Sequence, residues 1–217
     1  MLSFTEENYL KALLKITIDN EVEEVGTNEL AQQLDVKPAT VTDMLKKLKE
    51  KQLIKYEKYG KIGLNEEGRK YALEILRKHR LWETFLFEKL DFNWDEVHEI
   101  AEQLEHIKSA KLVNKLDAFL DFPQFDPHGD PIPNELGEIK VKYRKTLAEV
   151  AVGETCKLAA VKDNSVSFLQ YVVKVGLGLS SIVKVVGRQE YDALMEIEVN
   201  GEVSFVSEKF AENIYVV

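Results

Sequence analysis

Apolar residues recur at helical spacing through the first half of the chain. From Thr5 to about Lys115 they return every three or four positions, as at Leu10, Leu13 and Leu14. A period of 3.6 residues places such positions on one face of an α-helix. This half of the chain is therefore predicted to be mostly helical.

A proline-rich segment, residues 122–134, separates this half from a different pattern. Its four prolines and Gly129 exclude a helix or a central strand, because proline lacks a backbone N–H. Short β-branched runs follow it and predict a small β domain. The predicted strands span residues 155–161, 182–186, 193–199 and 203–206, broken by Gly187 and the Asn200-Gly201 hairpin dipeptide, with one helix at about 165–175.

Residues 27–50 have the pattern of a helix-turn-helix. Thr27 is expected to cap a first helix whose core includes Leu30 and Leu34, and residues 35–37 form a turn. Pro38 is predicted to start the second helix, since a missing N–H costs nothing at the first helical position. Residues 53–64 then alternate about Gly60-Lys61, which predicts a basic hairpin, or wing.

The second helix of this motif has the residue types of a DNA-reading helix. Val41, Leu45 and Leu48 recur at inward positions, which turns Ala39, Asp43 and Lys46 outward. Lysines and threonines can reach phosphates, and Asp43 can accept a hydrogen bond from cytosine. The order of the elements favours DNA binding over an ordinary solvated lysine-rich helix. The predicted DNA contacts are Lys37, Pro38, Ala39, Thr40, Thr42, Asp43, Lys46, Lys47, Lys58 and Lys61.

Three of the four histidines lie at helical spacing from carboxylates. His98, Glu102, Glu105 and His106 share an arc of about 100° on a predicted helix, and His79 lies one turn before Glu83 on the preceding one. The two histidines at 98 and 106 are separated by about 12 Å along such a helix, so two metal positions are expected. Carboxylate and imidazole donors suit Mn(II) or Fe(II), while Zn(II) is favoured by affinity order in vitro. Pairs that only support a surface helix are the alternative.

The composition of the chain limits the kinds of partner that it can bind. With 29 basic against 38 acidic residues the formal charge is -9, so DNA binding must come from the local basic patch. The single Cys156 excludes an internal disulfide. Without an apolar run of about 18 residues or a basic-apolar leader, a cytoplasmic protein with no membrane partner is expected.

The chain closely resembles the metal-dependent transcriptional repressors of the diphtheria-toxin-repressor and manganese-transport-regulator family. The resemblance runs through the winged helix, the segments 77–83 and 97–106, and the Pro-His-Gly-Asp-Pro-Ile-Pro loop at 127–133. It implies a mainly α protein with a small SH3-like, FeoA-like barrel. The implied domains are a winged helix-turn-helix DNA-binding domain (1–73), a helical metal-binding and dimerisation domain (74–140), a linker (141–150) and an SH3-like domain (151–217).

The resemblance also implies two metal sites. Glu102, Glu105 and His106, with Asn8 of the first helix, match the primary site, and His79, Glu83 and His98 match the ancillary site. The glutamate at 102 stands where iron-responsive members have cysteine, which favours Mn(II). Lys11 stands where manganese regulators have glutamate, so it is expected to pair with a site carboxylate. His128 is interpreted as structural.

The implied function is a Mn(II)-activated repressor of metal-uptake genes, not an enzyme. An iron(II)-dependent repressor of the same family is the alternative, and a metal-dependent enzyme or metal-storage module is the alternative from another class. Metal is expected to fix the spacing of two DNA-binding heads in a homodimer that binds a palindromic operator on double-stranded DNA. Four apolar residues at helical spacing are predicted to carry the dimer contact: Leu112, Leu116, Phe119 and Leu120.

Overall fold

The computed structural model describes residues 2–57, 60–139, 145–189 and 191–217, so Lys58 of the predicted DNA contacts lies outside the described residues. The chain forms two compact units. The first comprises residues 1–79, 102–110 and 133–138, and the second comprises residues 80–101, 111–132 and 139–217.

The prediction of a mainly α protein with a small β domain is confirmed. The helices are α1 (Phe4–Asp19), α2 (Thr27–Gln33), α3 (Pro38–Glu50), α4 (Glu66–Leu90), α5 (Val97–Leu104), α6 (Ala110–Phe119), α7 (Val166–Lys174) and α8 (Glu208–Ala211). The strands are β1 (Glu24–Val25), β2 (Ile54–Tyr56), β3 (Ile62–Leu64), β4 (Lys145–Thr146), β5 (Thr155–Val161), β6 (Ile182–Gln189), β7 (Leu194–Val199), β8 (Glu202–Ser207) and β9 (Ile214–Val216). In the described part of the chain, no helix combines the length and the apolar character needed to cross a membrane.

The first unit contains the helix-turn-helix and its wing. Strands β1, β3 and β2 form an antiparallel sheet in that order, with Lys55 opposite Gly63. Pro38 begins α3 as predicted, and Val41, Leu45 and Leu48 are fully buried. The N-cap of the first helix of this motif, α2, was predicted one residue too late. The cap is Gly26 and not Thr27, and the N–H of Gly26 donates to the Glu29 carboxylate.

The second unit contains the β domain. Its six strands follow the order β4-β9-β5-β6-β7-β8, and α7 packs Leu169 and Val172 into their core. The predicted break at Gly187 is wrong, because β6 continues through it to Gln189. The pairing of β6 with β7 shifts register between Val185 and Gly187, and such a bulge keeps a strand paired beyond an irregular residue.

The prediction that four metal-ligand candidates share one helical face is also wrong. Helix α5 ends at Leu104, and Glu105 and His106 follow it in a turn closed by the hydrogen bond from the N–H of Ile107 to the carbonyl of Leu104. Both side chains are buried, so tertiary contacts and not helical periodicity set their direction.

Candidate metal centre and nucleic-acid interface

Glu105 is the central residue of a buried polar cluster in the first unit. Its Oε2 accepts hydrogen bonds from Nζ of Lys11 at 2.6 Å and from Nδ1 of His79 at 2.7 Å. Its Oε1 is buried, has no hydrogen-bond partner among the described residues, and lies 3.8 Å from Nε2 of His106. A buried acceptor without a donor is costly unless a cation or water satisfies it.

Glu102 joins the cluster from the last turn of α5. Its Oε1 lies 2.6 Å from Nζ of Lys11 and 3.8 Å from Nδ1 of His79. Ligand atoms of His79, Glu102 and Glu105 all lie within 4.8 Å of one another. The structure thus brings His79 beside the predicted primary ligands, and the expectation that Lys11 pairs with a site carboxylate is confirmed.

His106 is oriented by α1. Its Nδ1 donates to Oε2 of Glu7 at 2.6 Å, and its ring stacks on Phe4 with centroids 4.4 Å apart. A proton on Nδ1 leaves the lone pair of the neutral ring on Nε2, the atom that lies near Glu105. The next residue of α1, Asn8, has a buried Oδ1 that lacks a hydrogen-bond partner in the described parts of the chain.

Sequence reasoning missed Glu7, although it directly precedes the predicted ligand Asn8. A carboxylate that holds the second nitrogen of a metal-binding histidine is a common arrangement in metal sites. Its position in the Glu7-Asn8-Tyr9-Leu10 stretch was the available signal.

The donor set of the first unit fits a small divalent cation. It offers a carboxylate oxygen without a hydrogen bond from any described residue (Glu105), an imidazole nitrogen (His106) and a buried amide oxygen (Asn8). Oxygen and imidazole donors suit Mn(II) and Fe(II), whereas thiolates suit Zn(II) and Cu(I) better. Cys156 lies on β5 of the second unit, where its Sγ contacts the carbonyl of Val183.

Glu83 and His98 lie together in the second unit. Glu83 is 2% exposed, and its Oε1 lies 3.0 Å from Nδ1 of His98. His79, the third residue predicted for the ancillary site, precedes Glu83 by one turn of α4 and belongs to the first unit.

A second polar cluster in this unit involves the proline-rich loop. Ligand atoms of Glu83, Asp126 and His128 lie within 4.8 Å of one another, and all three residues are buried. His128 donates from Nε2 to the carbonyl of Trp94 at 3.1 Å and stacks on the Trp94 ring, so it has the structural contacts expected of it. Its Nδ1 lies 3.7 Å from Oε2 of Glu83 and has no hydrogen-bond partner among the described residues.

Sequence reasoning missed Asp126 as a possible ligand. The available signal was the Asp-Pro-His-Gly-Asp run, which holds two carboxylates and an imidazole within five positions. Nδ1 of His128 and the carboxylates of Glu83 and Asp126 together form a candidate cation site.

Burial perturbs the pKa values in this cluster. Desolvation, together with the charges of Asp130 and Glu83, raises the pKa of Asp126 from 3.8 to about 7. For His128, burial alone would lower the pKa, but the Glu83 and Asp126 carboxylates outweigh it and raise the pKa. Arg80, with Nε 3.5 Å from Oδ2 of Asp126, offsets part of the negative charge.

The residues predicted to contact DNA lie mostly on a solvent-exposed face. Of the predicted DNA contacts that the structure describes, all are exposed except Thr42. Thr42 is half-buried, and its hydroxyl donates to the carbonyl of Pro38. On the exposed face of α3, Nζ of Lys46 pairs with Oδ1 of Asp43 at 2.9 Å. A face of small, basic and hydrogen-bonding residues on the second helix of such a motif is typical of major-groove recognition.

Two of the four apolar residues predicted for a dimer contact, on α6 and directly after it, are exposed. Leu112 is 42% and Phe119 is 64% exposed, whereas Leu116 and Leu120 are each only 7% exposed. The prediction that all four residues carry the dimer contact is wrong for Leu116 and Leu120, which are already buried within the described chain. Phe87, Leu90 and Phe122 of the second unit are also exposed.

The chain matches three family descriptions along its length. Residues 1–62 match the N-terminal DNA-binding domain of iron-dependent repressors, and residues 65–134 match their metal-binding and dimerisation domain. Residues 145–217 match the FeoA domain.

Curated relatives align to parts of the chain. The iron-dependent repressor IdeR of Mycobacterium tuberculosis (strain H37Rv) is 32% identical over 139 residues, which is 61% of this chain and 58% of that protein. A probable metal transport system membrane protein of Chlamydia trachomatis is 43% identical over 71 residues, which is 33% of this chain and 16% of that protein. The chain therefore spans less than two thirds of the length of these relatives.

Solved structures align over nearly the whole chain. A manganese-dependent transcriptional repressor in complex with manganese is 34% identical and has a TM-score of 0.86. The alignment covers 98% of this chain and 99% of that one. These matches agree with the helix-turn-helix and with the buried cluster of carboxylates and imidazoles. They show that the chain belongs to the iron-dependent-repressor, or diphtheria-toxin-repressor, family of metal-dependent transcriptional repressors.

Proposed function

We propose that this chain represses transcription by binding operator DNA when a divalent metal ion occupies the cluster around Glu105. The observation that carries the proposal is the buried Oε1 of Glu105, which receives no hydrogen bond from the residues that the structure describes. It lies 3.8 Å from Nε2 of His106, in the same compact unit as the helix-turn-helix. Such a regulator needs DNA and metal affinity but no catalytic chemistry. The primary ligands proposed are Asn8, Glu102, Glu105 and His106.

Mn(II) is the proposed activating ion. The cluster consists of oxygen and imidazole donors, as Mn(II) prefers, and the similar solved structure contains manganese. Fe(II) accepts the same donors, and IdeR is named as iron-dependent, so iron is the competing activator. Zn(II) should bind in vitro because of its position in the affinity order.

Contacts of α1 suggest how metal could act on the DNA-binding motif. Helix α1 carries Glu7, which holds His106, and it also carries Glu6, whose carboxylate lies 2.7 Å from Nζ of Lys51 at the C-cap of α3. A bound dication would neutralise carboxylate charge at the cluster and favour the arrangement in which α1 stays against residues 102–106. A ligand shifts an equilibrium only through such a difference in affinity between two arrangements.

A two-fold dimer is the proposed DNA-binding species. The exposed apolar surface of α6, with Leu112 and Phe119, suits a self-complementary contact. A symmetric dimer presents two recognition helices to a palindromic operator, whose half-sites are related by the same symmetry.

The test is an operator-binding titration with Mn(II), Fe(II) and Zn(II), each with a chelator control. Selection from random duplexes in Mn(II) first supplies the operator. Glu105→Ala or His106→Ala should abolish metal-stimulated binding, whereas Glu99→Ala, at an exposed carboxylate of α5, should retain it. Metal-independent binding, or stimulation that survives Glu105→Ala, would contradict the proposal. Metal uptake without DNA binding would point to an enzyme or storage protein.

A further inference from the structure

We propose that the ammonium group of Lys11 is a permanent cation of the primary metal centre and limits that centre to one divalent ion. This inference rests on the function proposed above, because it concerns how many ions the same cluster holds. It is carried by the contacts of one side chain of α1.

Nζ of Lys11 bridges the two carboxylates of the cluster. It lies 2.6 Å from Oε1 of Glu102 and 2.6 Å from Oε2 of Glu105. The Lys11 side chain is only 12% exposed and that of Glu105 is fully buried, so bulk water screens the Lys11–Glu105 contact weakly. Charge-assisted hydrogen bonds of this length are among the strongest that side chains make.

The ammonium occupies the position that a second metal ion would need. Paired ions in protein sites lie about 3.5–4 Å apart and share carboxylate oxygens. In this cluster, Oε2 of Glu105 and Oε1 of Glu102 are already bound to Nζ of Lys11. Oε1 of Glu105 is buried without a hydrogen bond from any described residue, and it lies 3.8 Å from Nε2 of His106.

The charges of Lys11, Glu102 and Glu105 favour the binding of one divalent ion and disfavour the binding of two. Glu102 and Glu105 carry two negative charges and Lys11 carries one positive charge, which leaves a net charge of -1. One dication changes this to +1, whereas two would give +3 in a mostly buried cluster, a costly arrangement. With glutamate at position 11, the cluster would carry -3 and two dications would again give +1.

The experiment counts Mn(II) ions per chain in the wild-type protein and in Lys11→Glu. Electron paramagnetic resonance follows the loss of the free Mn(II) signal during titration and reveals spin coupling between neighbouring bound ions. Lys11→Glu is expected to bind one more Mn(II) per chain than the wild type, with a spin-coupled spectrum. Lys70→Glu, which makes the same charge change at an exposed position of α4, should show neither effect.

A second variant keeps the test decisive if Lys11→Glu does not fold. Lys11→Met retains the apolar stem but leaves two carboxylates without their cation. Its metal-free melting temperature should fall by several degrees, and Mn(II) should raise it by more than in the wild type. Equal Mn(II)-induced shifts in Lys11→Met and the wild type would overturn the proposal, as would an unchanged Mn(II) count in Lys11→Glu.

Operator binding and the Mn(II) count together distinguish the role of Lys11 from the proposed function. If wild-type operator binding requires Mn(II) but Lys11→Glu gains no ion, the resident-cation proposal is wrong and the function stands. If the wild type neither takes up Mn(II) at this cluster nor binds DNA in its presence, the function itself is wrong.

Discussion

Nδ1 of His106 donates a hydrogen bond to Oε2 of Glu7 over 2.6 Å, although the two residues are 99 positions apart in the sequence. The carboxylate fixes both the ring orientation and the nitrogen that carries the proton, so Nε2 keeps its lone pair. The first helix therefore helps to prepare the metal centre through Glu7, which is not itself a proposed ligand.

Replacing this carboxylate should weaken metal binding. Glu7→Gln is expected to lower Mn(II) affinity by about 10- to 100-fold, the usual effect of losing a carboxylate that orients a metal-binding histidine. Calorimetric titration measures it. Glu6→Gln is the matched control on the preceding residue, because the Glu6 carboxylate pairs with Lys51. Equal Mn(II) affinity in Glu7→Gln and the wild type would show that Glu7 does not position His106.

The Glu6–Lys51 pair should contribute stability that depends on pH. Burial alone would raise the pKa of Glu6, but hydrogen bonds from Lys51 and from the backbone of Ser3 outweigh it and hold the pKa below its ordinary value of 4.5. A carboxylate with a lowered folded-state pKa stabilises the fold above its unfolded pKa, and this contribution is lost as pH falls through the folded pKa.

Glu6→Gln should therefore lower the free energy of unfolding by about 0.5–1 kcal/mol at neutral pH, a typical value for a partly exposed ion pair. The difference from the wild type should shrink as the pH falls below 4.5. Urea unfolding of the metal-free protein over this pH range measures both effects. A difference that is independent of pH would assign the loss to packing.

Asp126 should make the metal-free protein less stable as pH rises. Its folded pKa of about 7 lies above its ordinary value of 3.8. The stabilising contribution is complete below the unfolded pKa and is lost as pH rises through the folded one. Asp126→Asn keeps an acceptor for the N–H groups of His128 and Asp130 but cannot ionise.

In chelator, Asp126→Asn should therefore gain stability relative to the wild type as the pH increases from about 5 to about 8. A divalent ion held by Glu83, Asp126 and His128 would offset the same charge, so Mn(II) or Zn(II) should stabilise the wild type more than the variant. Thermal melts with and without metal measure this, and Asp121→Asn, at an exposed position, is the control. Equal metal-induced shifts would exclude an ion from this cluster.

Charges on the exposed face of α6 should dissociate the proposed dimer. Leu112→Asp with Phe119→Asp places two charges at positions that are 42% and 64% exposed, so the fold itself should survive. Sedimentation equilibrium should show a monomer, and operator affinity should fall. Leu136→Asp, at a residue of the first unit that is 83% exposed, is the control. A doubly substituted protein that remains dimeric would move the interface elsewhere.

Lys46 should contribute a phosphate contact. Lys46→Ala is expected to reduce the slope of log affinity against log salt by about 0.9 for each bound copy of the chain, with similar losses on all sequences. Lys184→Ala, at an exposed position of β6, should leave the slope unchanged. An unchanged slope in Lys46→Ala would place α3 away from the DNA backbone.

Local sequence signals predicted the elements of the DNA-binding motif well. Pro38 began α3, and Val41 and Leu45 proved to be buried, because both signals act within one or two helical turns. Gly187 shows the limit of such signals. An isolated glycine is a weak strand breaker, and pairing with β7 on both sides of the bulge kept β6 continuous.

The candidate metal centre was only partly predictable for a related reason. Treating α5 as continuous through His106 grouped that residue with His98, whereas the helix ends at Leu104. His98 lies beside Glu83, and His106 is held by Glu7 of α1. Helical periodicity carries no information about which distant segment faces a side chain once the helix has ended.

The sequence by itself determined the kinds of donor that are available, the helix-turn-helix and the family, because residue type and local periodicity are written directly in the chain. Only the tertiary structure decided which donors meet. It placed Lys11 between Glu102 and Glu105, and it joined Asp126 and His128 to Glu83. These groupings depend on packing between segments up to 94 positions apart in the sequence. Local sequence patterns do not determine such packing.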